Sequence, residues 1–237
     1  MRISIIGYGK LGKSIEEQAV KRGHEIVQTF TSSNLHQLTP ESLSSSDAIV
    51  ECSTPLSAYD NLMICAKAEI PTVSGTTGWL DKYDEVSAAF AKTSFLYASN
   101  FSIGMNIVFE VNKLMSRLTS QHGYTTDIQE IHHTEKLDAP SGTAITLAEG
   151  VIANSEYNKW QLTSEGEIDN NSTLPVEALR EDKVPGTHFI NYSSAQDEIS
   201  LKHLAHNRSG FGLGAVLAME YIKERQGVYT MKDVIGI

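Results

Sequence analysis

The chain has 237 residues, 41% hydrophobic and 20% charged, which is ordinary for a soluble globular protein with ample core for one large domain or two small ones. A net charge of −10 excludes a nucleic-acid-coating role, and no window reaches transmembrane length; an anionic small molecule would need local cations or helix N-termini to overcome that field. Two cysteines, Cys52 and Cys65, in apolar contexts and without metal-ligand spacing read as reduced core residues, and with a first strand starting at Met1 in place of a signal peptide they predict a cytoplasmic protein.

In chain order, Ile3–Ile6 reads as a buried strand and Leu11–Arg22 as a helix stopped by Gly23. Strands follow at 25–30 and 47–52, a helix opened by Pro55 runs toward Lys67, and a strand at 71–74, a helix at 80–92 and a strand at 95–98 complete the series. Strict alternation implies a parallel sheet with helices on both faces. After Asn100 the pattern changes. Residues 105–118 form an amphipathic helix with Ile107, Val111, Leu114, Met115 and Leu118 at helical spacing. A strand at 125–131 and a helix at 143–153 follow, whereas 157–185 is polar and turn-rich and yields no element. Two strands at 187–192 and 198–204 precede a last helix over 214–225. The expected architecture is α/β: a Rossmann-like parallel-sheet domain over 1–101 plus 210–237, with an inserted α+β domain over 102–209.

Gly7-Tyr8-Gly9-Lys10-Leu11-Gly12 follows a strand and opens a helix, the context that turns a weak glycine pattern into a dinucleotide-binding signal. The first glycine permits the tight turn, the second lets backbone approach a pyrophosphate, and the third lets helix pack on strand. A merely tight strand-to-helix turn is the plainer alternative. The acidic residue that usually holds a ribose 2′-hydroxyl is missing after the second strand, where Gln28 to Asn34 offers only hydroxyls and amides; NADPH and NADH both remain open. Gly75-Thr76-Thr77-Gly78 and Ala98-Ser99-Asn100-Phe101 end later strands, where backbone groups could bond a nicotinamide carboxamide and Phe101 could pack on a ring.

The densest chemistry lies in His132-His133-Thr134-Glu135-Lys136-Leu137-Asp138-Ala139-Pro140-Ser141-Gly142-Thr143-Ala144. An imidazole and an ammonium supply protons near neutral pH, and the Ser-Gly-Thr helix start supplies free N–H groups for a carboxylate. Adjacent histidines on a strand point to opposite faces, so only one lines a given cleft unless the backbone turns. Zinc is the competing reading and fails on count, since no HExxH pattern or third nearby Cys or His appears; no metal is expected. A strand end, a solvated turn and a capped helix with no ligand is the other alternative.

Glu130-Ile131-His132-His133, Lys136 and Asp138 to Ala144 resemble the signature of the dihydrodipicolinate reductase family, also called 4-hydroxy-tetrahydrodipicolinate reductases. The three cofactor-type loops and the tail Gly227 to Val234 are similar to that family's in the same order, so the likeness spans nearly the whole chain. It implies NAD(P)H-dependent reduction in diaminopimelate and lysine biosynthesis, an inserted substrate and oligomerisation domain, and a homotetramer. Carried onto this chain, it makes His132 the proton donor or acceptor and Lys136 the second proton donor. His133 would bind the dicarboxylate substrate, with Gly142 and Thr143 holding one carboxylate. Gly7, Tyr8, Gly9, Lys10, Leu11, Gly12, Gly75, Thr76, Thr77, Ala98, Ser99, Asn100 and Phe101 would hold the cofactor. The chain departs from many members in being shorter after the second strand. Another dehydrogenase of aspartate-derived amino acids shares the first half of this pattern but need not carry the double histidine and lysine.

Overall fold

Alternation of short apolar runs with helical patterns builds, in the computed structural model, two units: Met1–Ile103 with Arg208–Ile237, and Gly104–Asn207. Residues 1–169 and 171–237 are described. The first unit contains β1 (Arg2–Ile6), α1 (Lys10–Lys21), β2 (Glu25–Phe30), α2 (Pro40–Leu43), β3 (Ala48–Glu51), α3 (Pro55–Lys67), β4 (Thr72–Ser74), α4 (Tyr83–Ala89) and β5 (Ser94–Tyr97). The second holds α5 (Ile103–Thr119, whose first residue belongs to the first unit), β6 (Thr125–His132), α6 (Gly142–Ile152), β7 (Lys159–Leu162), β8 (Thr173–Arg180), β9 (Thr187–Ser193) and β10 (Glu198–Leu204). The chain then returns to the first unit through α7 (Ser209–Ile222), β11 (Gly227–Tyr229) and α8 (Met231–Ile235).

The six strands of the first unit are parallel in the order β11-β5-β4-β3-β1-β2. Alternate side chains of each strand go to opposite faces and make two cores. Ile3, Ile5, Val50, Val73 and Leu96 pack with Ile15 and Ala19 of α1 and with Val216 and Met219 of α7. Ile6, Ile49 and Phe95 pack on the other side with Leu62 and Cys65 of α3, Val86 of α4 and Trp79. Each such fully buried aliphatic side chain contributes about 1.5–3 kcal/mol. Because β2 and β3 lie on either side of β1, the strand order reverses at the carboxyl end of β1, the place where open parallel sheets bind ligands.

In the second unit β10, β9 and β6 are antiparallel while β8 and β7 run parallel to β6. Thr126, Ile128, Glu130 and His132 are the buried alternate positions of β6. The face that begins in the core with Ile128, Val176, Ile190 and Leu147 therefore ends in two ionisable groups.

Three features go beyond the sequence reading. The α5 stripe is turned outward: Ile107, Val111, Leu114 and Leu118 are exposed, while Asn106, Phe109, Asn112, Ser116 and Thr119 are buried. The polar side is accommodated because Asn112 Nδ2 donates to Leu147 O at 3.0 Å, and Tyr192 OH donates to Asn112 Oδ1 at 2.6 Å. Residues 157–185 contain two strands, β7 and β8, and the last helix is followed by a sixth parallel strand and a short capped helix. Among the described residues no helix is long and apolar enough to cross a membrane.

Candidate functional site

The glycine turn sits at the strand-order reversal. Gly7 has φ +95°, and a Cβ there would lie 2.2 Å from the carbonyl oxygen of Cys52; at Gly12 it would lie 2.3 Å from Gly7 O. Neither position has room for any side chain. A Cβ at Gly9, by contrast, meets nothing within 4 Å. That open approach faces a cavity of about 540 Å³ whose walls include Gly7, Tyr8, Thr31, Ser32 and Ser53. Helix α1 begins there with Gly9 at its cap, no capping side chain and no acidic residue in its first turn. Its first N–H groups have no intrahelical partners, as a pyrophosphate requires. The residues present therefore fit a dinucleotide.

At the end of β2, Asn34 is committed to its own turn: Thr31 N–H donates to Asn34 Oδ1 at 2.6 Å, and Asn34 Nδ2 donates to Thr29 O at 3.0 Å. Thr31 and Ser32 line the cavity wall, and the Thr31 hydroxyl also donates to Asn34 Oδ1 at 3.2 Å. The other two loops converge on the same turn. Gly75 N–H donates to Glu51 O at 2.8 Å and Ala98 N–H to Ser74 O at 3.1 Å, and a Cβ on Gly75 would stand 2.7 Å from the Phe101 ring and 3.6 Å from Leu11 Cδ2. Phe101 itself is 2% exposed and belongs to the core, so its ring is a floor beneath Gly75 and not a surface for a cofactor ring. Asn100 Oδ1 accepts Ser102 N–H at 2.8 Å, and Thr76 O accepts Trp79 Nε1–H at 2.6 Å, which orders both loops.

Sequence reasoning missed Glu51, a wholly buried carboxylate that ties these loops together. Its Oε1 accepts Ser53 N–H at 3.0 Å and the Ser53 hydroxyl, and its Oε2 accepts Ser74 Oγ–H at 3.2 Å. Burial and this charge push the Cys52 thiol up to about 12 and raise Cys65 as well, so both stay protonated; Cys65 lies in the core, whereas Cys52 is half-buried on the cavity wall.

The His132 segment is assembled by strand register. In β6, Glu130 stands opposite His188 of β9, and His132 opposite Arg180 of β8. Glu130 Oε1 accepts Ser141 N–H at 3.0 Å and Arg180 Nη2–H at 3.2 Å. Its Oε2 lies 3.1 Å from His132 Nδ1 and 3.8 Å from His188 Nε2. Burial alone would raise the Glu130 pKa, but the adjoining His132 ring and the Ser141 N–H hold it down at about 2. Burial, reinforced by the His132 charge, pushes His188 down to about 3, a neutral ring at pH 7.

Beyond β6 the chain turns, with Lys136 N–H donating to His133 O at 3.0 Å. Lys136 Nζ pairs with both oxygens of the exposed Asp138, at 2.8 and 2.9 Å. Ser141 caps α6 through its hydroxyl, which accepts Ala144 N–H at 3.2 Å, and Gly142 and Thr143 form the first turn. His132 and the start of α6 are thus brought together on Glu130, with Lys136 in the connecting loop. His133 follows the last residue of β6 and is half-buried.

Arg180, Gly186 and His188 escaped the sequence reading, and Glu130 and Asp138, quoted within the signature, received no role from it. Only Glu130, two residues before His132 on a strand, carried a local signal. Glu130, His132 and His188 place one ligand atom each within 4.8 Å of one another, so the third group that the zinc reading lacked comes from β9. Arg180 already pairs with this carboxylate, and a second cation there would meet its charge.

Comparison with known proteins completes the description. The family profiles described as dihydrodipicolinate reductase, N-terminus and C-terminus, match residues 1–101 and 104–235. A 4-hydroxy-tetrahydrodipicolinate reductase of Christiangramia forsetii is 44% identical over the whole chain and 98% of its own length. That of Alkaliphilus oremlandii is 34% identical over 81% of this chain and 80% of its own. A dipicolinate-bound dihydrodipicolinate reductase from Paenisporosarcina sp. TG-14 shares the fold, with a TM-score of 0.72 at 20% identity and 99% coverage of both chains.

Proposed function

Since this chain belongs to the dihydrodipicolinate reductase family, we propose that it reduces 4-hydroxy-tetrahydrodipicolinate to tetrahydrodipicolinate at the expense of NAD(P)H, in the diaminopimelate route to lysine. The reaction adds a hydride, consumes one proton and releases the hydroxyl as water. When bound, the reduced nicotinamide supplies the hydride. Everything else falls to the residues of the chain.

Gly7 to Gly12, with the backbone of Gly75 to Thr77 and Ala98 to Phe101, hold the cofactor, and the hydroxyl-lined end of β2 accepts NADH or NADPH. His133 and the N-terminus of α6 at Gly142 and Thr143 hold the dicarboxylate, offsetting the net charge of −10 that would otherwise repel it. His132 and Lys136 deliver the proton. The observation that carries this reading is the convergence of His132 and the α6 start on one buried carboxylate, with a lysine in the loop between them. The enzyme is assigned to the cytoplasm and to a homotetramer, the latter measurable by light scattering.

The test is steady-state oxidation of NADH and of NADPH in the presence of enzymatically generated 4-hydroxy-tetrahydrodipicolinate. Turnover with at least one cofactor is expected; none with either sinks the assignment.

A further inference from the structure

We propose that Glu130 and Arg180 are positioning residues for this reaction, a buried pair that fixes the His132 imidazole, the Lys136 loop and the start of α6 relative to one another. The proposal rests on the role given above to His132, but the geometry is independent of substrate. Glu130 is fully buried at a strand position where the preceding inward residues are Thr126 and Ile128. Burying a carboxylate costs several kcal/mol unless it is paired and hydrogen-bonded, so packing alone would favour another aliphatic residue there.

The pairing is divided between the two oxygens. Oε1 takes the backbone of Ser141, at the head of α6, and the guanidinium of Arg180. Oε2 is left to the imidazoles, with His132 Nδ1 at 3.1 Å. Arg180 spends its other donors on backbone: Nε on Lys136 O at 3.3 Å, Nη2 on Asp138 O at 2.6 Å and Nη1 on Leu179 O at 2.7 Å. The Lys136 loop and Ser141 at the head of α6 are thereby bonded to the pair, and the His132 ring lies against it.

The arrangement also selects a ring nitrogen. The carboxylate lies 3.1 Å from Nδ1 without hydrogen-bond geometry, so it favours a proton on Nδ1 by its charge and leaves Nε2 to exchange protons. On that side stands Gly186, where a Cβ would come within 3.0 Å of Nε2; the missing side chain keeps the nitrogen uncovered. Glu130 cannot be the proton donor itself, because its neighbours hold it ionised down to about pH 2.

Glu130→Gln keeps the shape and removes the charge, and its amide can present N–H groups to His132. In the folded variant we expect kcat to fall by about ten- to hundredfold, with cofactor affinity by fluorescence titration unchanged. The signature that a merely structural role would not move is the His132 tautomer, read by ¹⁵N NMR and assigned by its loss in His132→Gln. It should be Nδ1–H in the wild type and shift toward Nε2–H in Glu130→Gln. This measurement needs no substrate, so it tests the positioning even if the reductase assay fails. An Nε2–H wild-type ring, or a tautomer unmoved by the substitution, overturns the proposal. Should Glu130→Gln not fold, Arg180→Lys serves: a lysine can pair with Glu130 but not also bond the carbonyls of Lys136 and Asp138. Its expected result is a raised substrate KM with the Nδ1–H tautomer retained; wild-type kcat and KM would remove Arg180 from the pair.

Discussion

The Gly7–Gly12 turn is made of backbone, whereas the His132–Thr143 segment is made of side chains held by strands distant in sequence. In the turn, what matters is the absence of atoms: no Cβ fits at Gly7 or Gly12, and an open approach is kept at Gly9. In the segment, what matters is which groups register brings alongside, Arg180 from β8 and His188 from β9. A backbone site is written locally and survives most changes elsewhere. A side-chain site depends on partners at both ends of each bond, so it is open to disruption from several strands.

The largest effect expected from testing that division is at Lys136. Lys136→Ala removes an ammonium held by Asp138 at the surface of the loop, and kcat should fall by roughly 10²–10⁴-fold, the range for a lost general acid. Cofactor affinity should stay within about twofold, a difference under 0.5 kcal/mol. If instead cofactor binding collapses while kcat at saturation holds, Lys136 belongs with the backbone region and the comparison is drawn in the wrong place.

A smaller effect separates the glycines. Gly9→Ala meets no protein atom, so its unfolding midpoint should match the wild type while NAD(P)H affinity falls roughly tenfold, about 1.4 kcal/mol. Gly7→Ala forces a Cβ against the Cys52 carbonyl and should instead lower the unfolding midpoint. Equal loss of stability in both would mean that the turn at Gly9 serves packing and not a pyrophosphate.

The contrast explains what could be read from the sequence. Alternating runs such as Ile3–Ile6 and the glycine spacing are local signals, and they define the parallel sheet and its turn. The β8 strand is illegible because Pro175 interrupts a polar stretch, one partner, β6, lies about fifty residues back, and the other, β7, carries no strand signal of its own. Arg180 therefore could not be placed beside His132. On α5 the spacing of Ile107, Val111, Leu114 and Leu118 is correct for one helical face, but periodicity does not say which face is buried. Asn112 and Ser116 are inside because Tyr192 and the Leu147 carbonyl satisfy them, a fact held in β9 and α6. Phe101, at the cofactor loop, was assigned a surface and forms a floor for the same reason: the groups that cover it, Gly75 and Gly214, are remote in sequence.

The smallest effect is spread over pH and belongs to His188. Its ring faces Glu130, His132 and His203, with the Lys136 charge adding to the depression, and it stays neutral down to about pH 3 against an ordinary value of 6.5. As pH falls below 6.5 the unfolded chain takes up a proton that the folded chain refuses. Stability is therefore fully present above 6.5 and declines by at most about 1.4 kcal/mol per pH unit toward 3. Burial lowers His203 too, in the same direction, while Glu130 acts in a lower window, its contribution being lost as pH drops from 4.5 to about 2. Urea unfolding at pH 7, 6 and 5 should show the decline in the wild type and a flatter dependence in His188→Gln. A slope unchanged by that substitution would mean that the β9 histidine is not kept neutral behind His132, and that the side-chain region tolerates acid as well as the backbone turn does.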